Sequence, residues 1–350
     1  MKVVRAIRKE DLDGLLLLVK HVGGGMTTLK PDKKMLSDRI ALACDSFAEK
    51  IPLQRRDYLF VMEDTENKKI IGVCAVRSSV GLDETFYNYR IGTLVHSSKE
   101  LNVYSRMDTL YLSNDLTGCS ELCSLFLHPD HRTSTNGKLL SKSRFLFIAQ
   151  FPHLFSEKLI AEMRGFQRPD GSSPFWDNLG RHFFQMDFSR ADDLTITGKK
   201  AFIAELMPQY PLYVTYLAEE AQNAIGKVHV DTAPALHLLE EEGFYFEGYI
   251  DIFDGGPVEQ VRVSELRSSR LSELVDVVNY PDAVDYDHAL AKEPTLVANT
   301  DLQDYRIIVG YTSPKDGQVQ LTKEQQQALS CTPQSQVRTL LLNVKKEEHA

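Results

Sequence analysis

The alternation of apolar and polar positions gives a first map of the chain. Val3 to Ile7 is a short apolar run that predicts a strand. Leu12, Leu15, Leu16 and Val19 follow at helical spacing, with Asp11 placed to cap that helix. Leu36, Ile40, Ala43, Cys44 and Phe47 give a second helix, Leu36 to Phe47, one buried side. Tyr58 to Met62 and Ile70 to Val76 are apolar strands joined by the polar stretch Asp64 to Lys69, which is the pattern of a hairpin. Leu110 to Leu112 and Leu122 to Leu127 read as another strand pair around Asn114, Asp115 and Gly118. A long helix is expected from Gly137 to Phe151, then a strand from Leu159 to Met163.

Pro174 to Leu179 predicts a short helix and Phe183 to Phe188 a strand. Pro211 to Ala224 and Ala233 to Glu241 predict helices, and Phe244 to Phe253 a strand ending in Asp254-Gly255-Gly256-Pro257. Thr295 to Val344 predicts three or four short strands and a short helix around Lys323 to Leu329, a small β-rich C-terminal appendage behind a linker at Tyr280 to Glu293. Ser173 to Phe188 and Ala233 to Tyr249 share one layout of helix, glycine turn and aromatic strand. Either half of the chain is duplicated or a common pattern recurs by coincidence. The whole reads as α/β (α+β), divided into 1–190, 191–280 and 281–350.

Composition narrows the class. The chain has 350 residues, 43% apolar and 25% charged, enough to bury a core without disulfide or metal staples. Its net charge of −9, with no basic stripe, argues against nucleic acid and anionic membranes as partners. The five cysteines are odd in number and scattered, so neither a disulfide framework nor a zinc site is expected. No apolar run approaches the length of a membrane span or a signal-peptide core, so a cytoplasmic protein is expected.

The chemistry concentrates between Ser120 and Phe151. An apolar strand runs into His128-Pro129-Asp130-His131-Arg132, and Gly137 follows at the start of the long helix. A tight loop between a strand and a helix N-terminus aims backbone N–H groups at phosphate oxygens, and Arg132 adds a cation. This stretch resembles the pyrophosphate loop of the GNAT acyl-CoA N-acyltransferases, a strand followed by Pro-x-x-Arg-x-x-Gly-x-Gly and a helix. Pro129, Arg132 and Gly137 match, while Thr133 and Thr135 stand where the family often has glycine. The resemblance implies a GNAT-like fold in which the signature strand and the next splay apart, so that the backbone at Leu125 holds the pantetheine arm.

Longer phrases narrow it further. YNYRIGTLVHSSKELNVY (87–104), SELCSLFL (120–127), LLSKSRF (139–145), FFQMDFSRAD (183–192) and YIDIFDGGP (249–257) resemble the bacterial arginine N-succinyltransferases over at least residues 1 to 270. That family implies transfer of succinyl from the co-substrate succinyl-CoA to the α-amino group of L-arginine, the first step of arginine catabolism by this route, with no permanently bound cofactor. Some members accept ornithine and pair two related subunits, so a homo-oligomer or hetero-oligomer is expected. A non-catalytic partner subunit and an N-acetyltransferase of the same fold are the alternatives. The family's proton donor falls on His229, in a loop just ahead of the helix at Ala233.

The substrates make opposite charge demands. A guanidinium wants a carboxylate, and Glu162, in an otherwise apolar strand, is the first candidate, with an ion pair to Arg164 equally open. Asp251 and Asp254 are second candidates for the guanidinium or turn formers. Arg90 is the candidate for the succinyl carboxylate, and Lys138, Lys142 and Arg144 for a basic CoA groove.

Overall fold

The computed structural model describes residues 1–22, 26, 28–191, 205–208, 210–280 and 293–344. Fifteen strands among the described residues make one sheet. In chain order they are β1 (Lys2–Ala6), β2 (Asp57–Asp64), β3 (Lys69–Arg77), β4 (Asn88–Ser98), β5 (Val103–Ser113), β6 (Ser120–Leu127), β7 (Lys158–Glu162), β8 (Leu212–Tyr213), β9 (Tyr245–Asp251), β10 (Pro257–Arg262), β11 (Glu273–Asn279), β12 (Pro294–Asn299), β13 (Arg306–Tyr311), β14 (Gln318–Leu321) and β15 (Gln336–Leu341). Their order across the sheet is β14-β11-β15-β12-β13-β1-β2-β3-β6-β7-β10-β9-β4-β5-β8. β6 pairs parallel with β7, and β11 with β14; the other pairings are antiparallel.

The central strands are apolar on both faces because both are covered. Tyr58, Phe60 and Met62 of β2 face the helix α3 (Ser134–Gln150) and pack with Phe145, Leu146 and Phe147. Leu59 and Val61, alternating with them, face α1 (Leu12–Val19) and α2 (Lys33–Phe47) and pack with Leu15, Leu18, Leu36 and Ile40. α2 begins where expected, capped by Asp32, whose Oδ1 accepts the Met35 N–H at 2.8 Å. Asp11 stands at the α1 N-cap position, but its carboxylate accepts both Arg5 Nη groups at 2.8 Å and the Arg8 N–H instead.

Several expected elements differ. α3 starts at Ser134, three residues before Gly137, because Thr133 supplies the cap. Leu110–Leu112 and Leu122–Leu127 are not partners: β5 pairs with β4 and β8, and β6 with β3 and β7. Phe183 to Phe188 is not a strand. α4 (Pro174–Asn178) and α5 (Gly180–Phe184) run consecutively and bury Trp176, Phe184 and Phe188 in one aromatic cluster. The helix α7 (Ala233–Glu242) does lead through Gly243 into β9, so the two segments are not copies of one unit. Pro211 to Ala224 folds as β8, a 3-10 turn and the short helix α6 (Glu219–Ala224).

The C-terminal portion is β-rich as expected, with α9 (Lys323–Ala328) against it; between α7 and α9 lies α8 (Arg267–Leu271). It joins the rest through β13, which pairs with β1 at Val4 and Arg5. Apart from its two ends, the expected linker at Tyr280 to Glu293 lies outside the described residues. Among the described residues no helix is long and apolar enough to cross a membrane, and no cluster of His, Cys, Asp or Glu could hold a metal ion.

Candidate active site

The sheet opens at its centre. β6 and β7 pair only at Ser120–Leu159 and Glu121–Ile160, then diverge. A cleft of about 650 Å³ fills the gap, with Leu122, Cys123, Ser124, Leu125 and Phe126 along one wall and Ala161, Glu162, Met163 and Arg164 along the other. β6 also bulges: Ser124 and Leu125 together stand opposite Cys74 of β3, and Ser124 has a left-handed φ of 57°. A non-glycine residue there needs support. Arg39 of α2 supplies it, donating to Ser124 Oγ at 2.8 Å and to the Thr28 carbonyl at 2.9 Å. Asp57 anchors Arg39 at 2.8 Å. Burial works to raise the Asp57 pKa, but the Arg39 and Arg77 charges outweigh it and hold the carboxyl below its ordinary value.

At the outer end of β6 the chain makes the 3-10 turn Pro129–His131 and enters α3. Arg132 is exposed, lines the cleft, donates to the Leu127 carbonyl at 3.2 Å and lies 5.8 Å over the Phe126 ring. The Thr133 hydroxyl caps Asn136 N–H at 3.2 Å, and Gly137 N–H bonds Thr133 O. The Thr135 amide, in the first helical turn, has no intrahelical acceptor and remains for an anion. Gly137 does not line the cleft, and a side chain there would meet nothing within 4 Å. No close backbone approach demands glycine at that position.

The facing wall is acidic. Glu162 accepts from Asn88 Nδ2 at 3.2 Å and shares the cleft lining with Asp251. Arg164 is not its ion-pair partner: the Arg164 guanidinium turns to Gln167, and its Nε is buried without a partner. Asp254 is a strut. Its carboxylate accepts Gly165 N–H at 2.7 Å and Gly256 N–H at 2.9 Å, tying the exit of β7 to the β9–β10 turn. That turn needs its glycines: Gly255 has φ 71°, and a Cβ on Gly256 would lie 2.1 Å from the Met163 carbonyl. Asp251 accepts the N–H groups of Phe253 and Asp254 at 2.7 and 2.8 Å. Burial pushes both aspartates up, Asp254 the more, because Asp251 adds like charge.

His229 stands at the edge of this wall, and its neighbours Asp231 and Thr232 line the cleft. Its backbone N–H bonds the Arg164 carbonyl at 2.8 Å, next to the Gly165–Val228 bridge. Nδ1 lies 3.1 Å from the Asp231 N–H and 3.6 Å from Asp231 Oδ2, so Nε2 is the nitrogen left for a substrate. Burial and then the Arg164 charge lower the imidazole pKa below 6.5, against the pull of Asp231.

The structure thus brings Leu125, Arg132 and Glu162 to one cleft with His229 at its rim. Asp251 and Arg144 join them, and Arg164, read in the sequence as an alternative partner of Glu162, lines the same wall; Arg39 and Asn88 carried no sequence signal for the site. Arg90 is elsewhere. It lies on β4, exposed, 3.5 Å from Asp115 and 5.7 Å from the Tyr249 ring, and does not line the cleft. Lys138 reaches Asn343 and Lys142 is buried against Glu241 and the Leu342 carbonyl, so neither makes a basic groove.

A parted strand pair, a bulge beside the gap and a helix N-terminus with an arginine at its mouth define an acyl-CoA N-acyltransferase of the GNAT class. A family model described as arginine N-succinyltransferase beta subunit matches residues 2–268. The arginine N-succinyltransferase of Escherichia coli (strain 55989 / EAEC) is 48% identical over 343 residues, 98% of either chain. That of Shigella flexneri is 47% identical over the same span. The arginine/ornithine succinyltransferase subunit AI from Pseudomonas aeruginosa has a similar structure, with TM-score 0.88, 33% identity, and 98% of this chain and 99% of that one covered. The chain belongs to the arginine N-succinyltransferase family.

Proposed function

We propose that this protein transfers the succinyl group of succinyl-CoA to the α-amino group of L-arginine, using the cleft between β6 and β7. The observation that carries the reading is the pairing of opposite charge demands across one gap: Arg132 and the Thr135 amide of α3 at the mouth, Glu162 with Asp251 on the far wall. The diphosphate of CoA takes the first set. The pantetheine arm runs along β6, whose backbone at Leu125 lacks a strand partner on the β7 side. The arginine guanidinium takes the carboxylates of the second set.

The neutral amine attacks the thioester carbon, a C–N bond forms, and the C–S bond breaks. Nitrogen loses one proton and sulfur gains one. His229 mediates the exchange: Nδ1 accepts the Asp231 N–H, so the neutral ring holds its hydrogen on Nε2, which passes to sulfur as the C–S bond breaks and is replaced by the one nitrogen loses. Its lowered pKa keeps the ring neutral at pH 7, with Nε2–H free to face the leaving sulfur. The bulge at Ser124 and Leu125 lies on the cleft wall, and its backbone N–H groups are the candidates to stabilise the oxyanion. The test is a matrix of succinyl-CoA and acetyl-CoA against arginine, ornithine and lysine, followed by thiol release. Turnover with succinyl-CoA and arginine is expected. Activity with acetyl-CoA alone, or none at all in the folded chain, overturns the reading.

A further inference from the structure

One cation in the core has no counter-charge among the described residues. Four basic side chains are buried among the described residues: Arg5, Lys142, Arg144 and Arg267. Arg5 meets Asp11 and Glu63, Lys142 meets Glu241, and Arg267 meets Glu242. Arg144, only 3% exposed, meets no carboxylate among the described residues. Its Nε and one Nη donate to the carbonyl and hydroxyl of Ser141, one turn back on α3. The other Nη has no protein acceptor among the described residues, and the side chain lines the cleft. An unpaired buried charge is costly to the fold, and evolution keeps it where a ligand supplies the missing partner.

Its position is as specific as its charge. Arg144 lies ten residues along α3 from Ser134, about 15 Å from the helix N-terminus at 1.5 Å per residue. That is the direction in which an acyl-CoA arm runs from its diphosphate to its thioester. The groups whose charge reaches Arg144 are Cys74 and Cys123, the residues opposite and beside the β6 bulge. The other cations of the cleft stand differently, and Arg164 is the rival to be tested. Arg39 is tied to Asp57, Arg77 to Glu121, Arg132 stands exposed at the mouth, and Arg164 sits on the wall of Glu162 beside His229.

We propose that the Arg144 guanidinium binds the distal carboxylate of the succinyl group and makes the cleft select an ω-carboxyacyl thioester over a neutral one of the same length. The proposal rests on the reading of the cleft as a succinyl-CoA site. Burial also lowers the Arg144 pKa, which agrees with a cation awaiting an anion.

The experiment compares kcat/KM for succinyl-CoA and butyryl-CoA, which differ only in a terminal carboxylate or methyl, with arginine as acceptor. In wild type the ratio should favour succinyl-CoA. R144M should lower that ratio roughly 10- to 100-fold, the size of a lost charge-assisted contact. R144K, which keeps the charge but not the fork, should fall between the two. Without ligand, R144M should melt at or above the wild-type temperature, and succinyl-CoA should protect wild type much more than R144M. An unchanged ratio in folded R144M overturns the proposal, as does a ratio that collapses in R164M and not in R144M. If R144M fails to fold, R144K decides, and a wild-type ratio there overturns it. Wild-type turnover of butyryl-CoA without any of succinyl-CoA would instead sink the underlying assignment of substrate.

Discussion

Two corners of this molecule have the same local design and different surroundings. His128-Pro129-Asp130 closes β6, and His229-Val230-Asp231 precedes α7. In each, the histidine caps a 3-10 turn, and its Nδ1 lies near the N–H of the aspartate two residues on, at 3.3 and 3.1 Å. The aspartate carboxylate is 3.8 Å away in one and 3.6 Å in the other. What differs is the partner element. His128 sits against the rings of His21 and His131 at the mouth, while His229 hangs from the Arg164 carbonyl beside the acidic wall. A turn places a ring, and the tertiary neighbours decide whether that ring grips a cofactor or moves a proton.

His229→Ala should separate the corners most sharply. A positioned acid–base group contributes about 10²–10⁴-fold to rate, so kcat should fall by that order with both KM values within a few-fold. His128→Ala should show itself in the KM for succinyl-CoA and leave kcat within a few-fold. Equal kcat losses in steady-state assays of the two variants would erase the distinction. The His229→Ala deficit should shrink with a donor whose leaving thiol has a lower pKa, because that thiolate departs without a proton.

Glu162→Gln tests the wall behind His229. Losing a charge-assisted pair should cost roughly 1–3 kcal/mol in kcat/KM for arginine, several-fold to a few hundred-fold. An unchanged arginine KM with a lowered melting temperature would make Glu162 a structural partner of Asn88 and Asp251. Arg132→Ala tests the other corner. The KM for succinyl-CoA should rise several-fold while that for arginine stays put, since the contact is remote from the reacting atoms. Equal weakening of both would detach Arg132 from the diphosphate.

The smallest effect is in the pH profile. Burial and Arg164 disfavour the imidazolium of His229, so the acidic limb of kcat/KM should lie below pH 6.5. Arg164→Met should move that limb up and Asp231→Asn should move it down. The stability signs agree: the folded protein resists protonating His229, so this residue subtracts stability as pH falls through 6.5 toward its folded pKa. A limb that ignores both substitutions would belong to another group.

Much of this was legible in the amino-acid order. The β2–β3 hairpin, α2, α3 and the β6–loop–α3 corner follow from periodicity and turn residues, because neighbours in sequence make those contacts. The class of chemistry was legible for the same reason. Pairings set by distant residues were not. Nothing local says that Leu110 pairs with Leu212 and Ile91 and not with β6. The aromatic run at Phe183–Phe188 has strand composition, yet Trp176 draws it into helical turns. The site divides likewise. Arg132 and Glu162 stood out by type and context, but Arg90 was misplaced because an exposed arginine on β4 looks the same in sequence as one aimed into a cleft. Arg39 was invisible because its purpose, holding Ser124 at a left-handed φ, depends on a bulge that only the folded sheet contains.

The seat of β1 between β2 and β13 has a consequence for how the protein comes to exist. Residues 2–6 are made long before Arg306–Tyr311, and one edge of that strand stays open until those residues have been added. A nascent chain carrying β1, β2 and β3 therefore exposes unpaired strand backbone for roughly three hundred residues of synthesis, at about 5–20 residues per second. The C-terminal strands are the closing piece. Shortened chains that stop before β13 should then be made but collect as aggregates, even though every group of the cleft described above lies upstream of the cut.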